Sequence, residues 1–111
     1  MDQAEPITPV RDPVLARFRA ALDALYGDRL ERAVLFGSRA RGDARPDSDY
    51  DVAVFLRNYS RPWPELEPLS EITTEILLDT GAVISVLPLP VGAYHDRTIL
   101  MGEIRREGVD L

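Results

Sequence analysis

Cysteine and lysine are both absent from the 111 residues, and there is one histidine and one tryptophan. Without cysteine, disulfides, thiolate metal sites and thiol catalysis are excluded. The single histidine, His95, has no second ligand or catalytic partner near it in sequence and reads as structural or exposed. No apolar run is long enough to span a bilayer. The opening MDQAEPITPV is acidic and carries two prolines, without the basic start and apolar stretch of a signal peptide, so the expected location is cytoplasmic. No internal repeat or low-complexity segment interrupts the chain.

What is present is the composition of a small globular domain, 45% apolar and 29% charged. The length fits one core, with residues 1–12 expected as a loose tail and residues 13–111 as a single domain. A net charge of −6 argues against a surface that grips nucleic acid by broad phosphate neutralisation. All thirteen basic residues are arginine, and Arg39, Arg41 and Arg45 cluster in one short segment. A locally basic loop on an acidic chain suits a phosphorylated small molecule better than a polymer, because guanidinium offers paired donors to phosphate.

Hydrophobic periodicity orders the chain as helix, strand, short helix, strand, helix, strand, helix, an α+β (α/β) sheet with helices packed on it. Val14, Leu15, Phe18, Ala21, Leu22 and Leu25 recur at helical spacing from Pro13, and Gly27 supplies a stop. Residues 32–36 read as a buried strand, and residues 38–42 as the start of a short helix. Tyr50 to Leu56 alternates clearly, with Val52, Val54 and Leu56 on one parity and Asp49, Asp51, Ala53 and Phe55 on the other. Leu66, Leu69, Ile72, Ile76 and Leu77 define a second long helix, with prolines expected only in its opening turn and Gly81 at its end. A third strand is expected over 83–89, and a last helix from about Gly92 to Glu107, stopped by Gly108.

The chemistry concentrates in GSRARGDARPDSDYDVAVF. Asp49 and Asp51 share one face of a strand, roughly 6–7 Å apart along it. Like charges so placed repel, and they become useful when a divalent cation lies between them. Magnesium takes hard oxygen ligands, commonly one or two carboxylates with phosphates and waters. The Gly37-Ser38 turn supplies the complement, since glycine lets backbone approach closely and amides with a serine hydroxyl hold phosphate oxygens. Either half alone reads more simply as a capped turn or a solvated acidic loop. A phosphate at the turn and a metal at Asp49 and Asp51 would together form one nucleoside triphosphate site.

Gly37-Ser38, ten residues, then Asp49-x-Asp51 resembles the signature of the DNA polymerase β nucleotidyltransferase superfamily. The wording GSRARGDARPDSDYDVAV is similar to that of its minimal members, the MNT-domain proteins. The likeness is strongest over residues 33–56 and consistent in element order to the closing GEIRREGVDL. The resemblance implies a polymerase β-like fold, ATP and Mg²⁺, phosphate binding by Gly37 and Ser38, and metal binding by the catalytic pair Asp49 and Asp51. Arg39 and Arg41 stand as nucleotide-binding candidates or as solvated helix surface. The resemblance further implies transfer of AMP from ATP to a protein, with a HEPN-type ribonuclease toxin as partner and this chain as antitoxin.

The sequence departs from the family at one position. The third strand of such enzymes carries a further carboxylate, and GAVISVLPLP places Ser85 there, while Asp79 falls before the strand. Nucleotide binding is therefore expected to survive better than turnover. Two other functions stay open: a nucleotide-binding module that neutralises a toxin by complex formation, and transfer to a small molecule such as an aminoglycoside. Trp63, between two prolines, is expected to pack at the helix start. Tyr26, Tyr50, Tyr59 and Tyr94 are expected as half-buried residues rather than modification acceptors. Ile99, Leu100, Met101 and Ile104 widen the last helix's apolar face, for burial or for a subunit contact.

Overall fold

The computed structural model describes residues 12–111. The expected N-terminal tail lies outside the described residues except for Asp12, which belongs to the fold. Asp12 Oδ1 accepts hydrogen bonds from the backbone N–H of Val14 (2.9 Å) and Leu15 (3.2 Å). Those two donors have no carbonyl a turn earlier to meet, and Pro13 at the first helical position has no N–H to satisfy. Helix α1 thus runs Pro13–Tyr26 and ends at Gly27, whose φ of 53° lies in the left-handed region. Its stripe Leu15, Phe18, Leu22 and Tyr26 is buried, whereas Leu25 falls off the stripe and is exposed.

After a 3₁₀ turn over Gly27–Arg29 come β1 (Leu30–Phe36), α2 (Ser38–Arg41) and β2 (Tyr50–Leu56). Then follow α3 (Trp63–Thr80), β3 (Ile84–Pro90), a second 3₁₀ turn (Val91–His95), α4 (Ile99–Glu107) and β4 (Val109–Asp110). The strands form one mixed sheet in the order β3-β2-β1-β4. β2 and β3 are parallel and joined by α3, while β1 pairs antiparallel with β2 and β4. Strand parity sends alternate residues to two cores. Ala33, Leu35, Val52, Val54 and Leu56 pack with α1 and with Leu69 and Ile76 of α3 on one face. Val34, Ala53 and Phe55 pack with Met101 and Ile104 of α4 on the other.

Three expectations need correction, and one short strand was not expected. The last helix begins at Ile99, not near Gly92: the Thr98 hydroxyl caps it by accepting from the N–H of Met101 (3.1 Å), and residues 91–95 form the 3₁₀ turn. The third strand is shifted by one residue, to Ile84–Pro90. Pro68 lies inside α3 beyond its opening turn. The carbonyl four residues earlier belongs to exposed Pro64, so water can take the bond that proline cannot give. Gly108 ends α4 as expected, its N–H bonded to the Ile104 carbonyl (2.9 Å), and the short strand β4 that follows was not expected; a Cβ at Gly108 would collide with Ile104 and Val34, so only glycine lets the chain turn back along β1.

Exposure corrects one side-chain reading, and it divides the apolar residues of α4. Trp63 is 74% exposed rather than packed at the start of α3. In α4 only Met101 and Ile104 are buried, while Ile99 is 87% exposed and Leu100 partly so. No helix among the described residues is long and apolar enough to cross a membrane.

Phe18 is fully enclosed between α1 and the sheet. Phe18→Ala is expected to cost roughly 3–5 kcal/mol, read as a lower urea midpoint in an equilibrium unfolding curve.

Candidate functional site

The site forms at the end of the sheet where β1 finishes and β2 and β3 begin. Strand register places Phe36 beside Asp51 on one side and Ser85 beside it on the other. Directly after Phe36 the chain turns at Gly37, with φ 75° and ψ −157°, a conformation open essentially to glycine alone. A Cβ built there would run into the Asp51 carboxylate. From sequence, Gly37 is expected to admit a phosphate to the backbone; the close approach observed here is to one of the two aspartates.

Helix α2 starts at Ser38, half-buried beside that turn. The turn is closed by the N–H groups of Ala40 and Arg41 on the Gly37 carbonyl and of Gly42 and Asp43 on the Ser38 carbonyl. The N–H groups of Ser38 and Arg39 stand outside that pattern, as the first donors of any helix do.

Asp49 is exposed at the end of the loop that precedes β2, and Asp51 is half-buried on the strand. Burial raises the Asp51 pKa from its ordinary value, the neighbouring Asp49 charge raises it further, and Arg41 partly opposes both. Asp49 and Asp51 are near enough for their charges to interact, and a cation between them would relieve the repulsion. Asp49 and Asp51 are the residues that could hold a hard divalent ion. Among the described residues, no group of three or more His, Cys, Asp or Glu gathers to hold a metal. The position beside Asp51 on β3 carries exposed Ser85, and Asp79 is engaged elsewhere, in an ion pair with Arg17 at 2.7 Å.

The arginines are less free than the sequence suggests. Arg39 donates through Nε to the Ser48 carbonyl (2.9 Å) and through a terminal nitrogen to the Pro46 carbonyl (3.1 Å), and lies 4.0 Å over the Tyr50 ring. Arg41 pairs with Asp43 (3.3 Å) and with Glu107 (3.4 Å), which ties α2 to the end of α4. Tyr50, between the aspartates, points to the opposite face and donates its hydroxyl to Asp12 Oδ2 at 2.9 Å. Asp12 and Glu107 were not singled out in the sequence as part of this region. Asp12-Pro13 before an apolar-periodic segment signals a cap, but nothing local announces the Tyr50 contact, which spans 38 positions. Trp63 and His95 are both exposed, and neither contributes a hydrogen bond to this site.

Residues 24–95 match the family described as polymerase beta, nucleotidyltransferase. The chain belongs to that family, as an MNT-domain protein. It is 36% identical over 98 residues to "Putative protein adenylyltransferase MJ0141" of Methanocaldococcus jannaschii, covering 88% of this chain and 95% of the relative. A solved structure described as a putative minimal nucleotidyltransferase superposes with a TM-score of 0.58 at 25% identity, covering 86% of this chain and 90% of the other. A toxin-antitoxin crystal structure with AMP-PNP superposes with a TM-score of 0.63 at 17% identity, covering 86% and 69%. The last likeness concerns the fold. The family's nucleotidyltransferase architecture accords with the mixed sheet and flanking helices found here.

Two outcomes follow from this geometry. Gly37→Ala is expected to cost about 1–3 kcal/mol of stability from backbone strain, with displacement of Asp51 in addition, measured by urea denaturation. The sign for Asp51 is opposite. Its folded pKa lies above its unfolded value, so the native state binds more protons between the two, and stability falls as pH rises through that window. Asp51→Asn is therefore expected to raise the melting temperature of the ligand-free protein at pH 7. The gain should vanish below the carboxylate range, where both forms are neutral.

Proposed function

We propose that this chain is a Mg²⁺-dependent nucleotidyltransferase that moves AMP from ATP to a hydroxyl of a protein acceptor, acting as the antitoxin toward a HEPN-type ribonuclease toxin. The observation that carries the reading is the convergence of the Gly37-Ser38 turn with Asp49 and Asp51 at one sheet end. The 36% identity to a relative named as a protein adenylyltransferase supports the acceptor class, and the likeness to a toxin-antitoxin structure holding AMP-PNP supports the setting.

In this reading the Ser38 hydroxyl and the first N–H groups of α2 hold phosphate oxygens, and Gly37 keeps the backbone clear for them. Asp49 and Asp51 would hold Mg²⁺, which would supply charge neutralisation on the phosphates and the departing pyrophosphate. The acceptor oxygen attacks the α-phosphorus, the bond from that phosphorus to the bridging oxygen breaks, pyrophosphate leaves, and the hydroxyl proton passes to solvent. An acceptor brought by another protein suits a site at the edge of a four-stranded sheet. Tyr26 and Tyr50 are poor acceptors themselves, because both are buried and burial raises their phenol pKa values.

One observation favours a second reading. Ser85 occupies the strand position beside Asp51, and its hydroxyl cannot stand in for an anionic metal ligand or take the acceptor's proton. A site with two carboxylates can hold a nucleotide through one ion while transfer is slow. The chain would then neutralise its toxin by forming a complex.

The test incubates the chain with ATP labelled at the α-phosphate, Mg²⁺ and the product of the neighbouring open reading frame. Label should appear on that product, and Asp51→Ala should lower its rate of appearance by at least about a hundredfold, the scale of removing one preorganised electrostatic group. A stoichiometric complex without label selects the second reading. Isothermal titration adds that Asp49→Ala should weaken Mg-ATP binding; equal affinity in both proteins contradicts the site.

A further inference from the structure

The loop between the phosphate turn and the aspartates has its own fastening. From the second residue of α2, Arg39 reaches across to the carbonyls of Ser48 and Pro46, whose loop delivers Asp49. The same guanidinium lies over the ring of Tyr50, the side chain between the two aspartates, with its central carbon 4.0 Å from the ring centroid. The Ser48 hydroxyl closes the loop on itself by accepting from the N–H of Arg45 (2.9 Å). On its far side Tyr50 is anchored through its hydroxyl to Asp12 Oδ2 (2.9 Å), whose other oxygen caps α1. A continuous set of contacts therefore runs from the residue after Ser38, through the loop and the Asp49-Tyr50-Asp51 triplet, to the start of α1.

Resting on the proposed nucleotide site, we propose that Arg39 and Tyr50 are positioning residues that lock the phosphate turn and the two metal-binding carboxylates in one fixed spacing. Arg39 acts through loop carbonyls and the Tyr50 ring, and not by offering its charge to phosphate. A planar guanidinium meets two carbonyls and a ring face at once. A lysine ammonium carries the same charge but cannot reproduce that fork. Tyr50 contributes no group to the site's own face; it holds its two neighbours by being held itself. The reading explains why an arginine follows the turn and an aromatic residue separates the two aspartates, and it assigns Asp12 the role of terminal anchor.

The experiment measures AMP-PNP affinity by isothermal titration in Mg²⁺ and in EDTA for the wild type, Arg39→Lys, Tyr50→Leu and the double variant. Thermal melting confirms that each is folded. Arg39→Lys and Tyr50→Leu should each reduce the Mg²⁺-dependent gain in affinity by about 10–100-fold, the scale for losing a partner that orients a metal ligand. The double variant should fall within about threefold of the weaker single one, because both cut the same connection. Tyr50→Phe keeps the stack and removes only the bond to Asp12, and should lie between. Wild-type affinity in Arg39→Lys, or losses that multiply in the double variant, overturns the positioning role while leaving the nucleotide site standing. Should Tyr50→Leu not fold, Arg39→Lys at its half-buried position decides alone. A wild type without Mg²⁺-dependent binding removes the nucleotide site, and the positioning role with it.

Discussion

The close approach of the Gly37 backbone to the Asp51 carboxylate is the contact on which the rest of this structure turns. It is available only because residue 37 has no Cβ and adopts a conformation that side chains forbid. It is placed there only because β1 and β2 pair antiparallel, which brings the last residue of one beside the first residues of the other. A change of one residue in that register would send Asp51 to the opposite face, away from the turn. The buried alternation of Val52, Val54 and Leu56 against α1 and α3 prevents such a slip, so the core itself sets the site's geometry.

The same arrangement stores an electrostatic cost. Asp51 is partly withdrawn from water with Asp49 beside it, and both influences disfavour its charge. Arg41 gives partial relief but is shared with Asp43 and Glu107. A domain selected for stability alone would have little reason to keep two aspartates there; a cation bridging them turns the cost into affinity. Ser85, next in line on β3, leaves that relief to two carboxylates. This separates holding a nucleotide from transferring it, since the first asks less of the strand than the second.

How much of this could be read from the sequence depended on range. Residues 50–56 announced their strand because alternation is a local property, and Gly37-Ser38 with Asp49-x-Asp51 announced the site because the spacing survives in one dimension. Helices α1 and α3 were legible from their apolar stripes and glycine stops. Strand β4 was not, because two residues carry no alternation and pair only after Gly108 has turned the chain. Exposed Trp63 misled for a related reason: apolar character indicates burial on average, but helix phase decides which residues obtain it. The Asp12–Tyr50 contact joins an expected tail to the centre of the site, and no local pattern encodes a bond across that distance.

Manganese supplies the most direct test of the central claim, that the glycine-serine turn and the two aspartates form one metal–nucleotide site. Crystals grown with AMP-PNP and Mn²⁺ should show an anomalous peak bound by Asp49 and Asp51, with the triphosphate lying over Gly37 and Ser38. Nucleotide bound elsewhere, or no manganese at the two carboxylates while nucleotide occupies the turn, would contradict it.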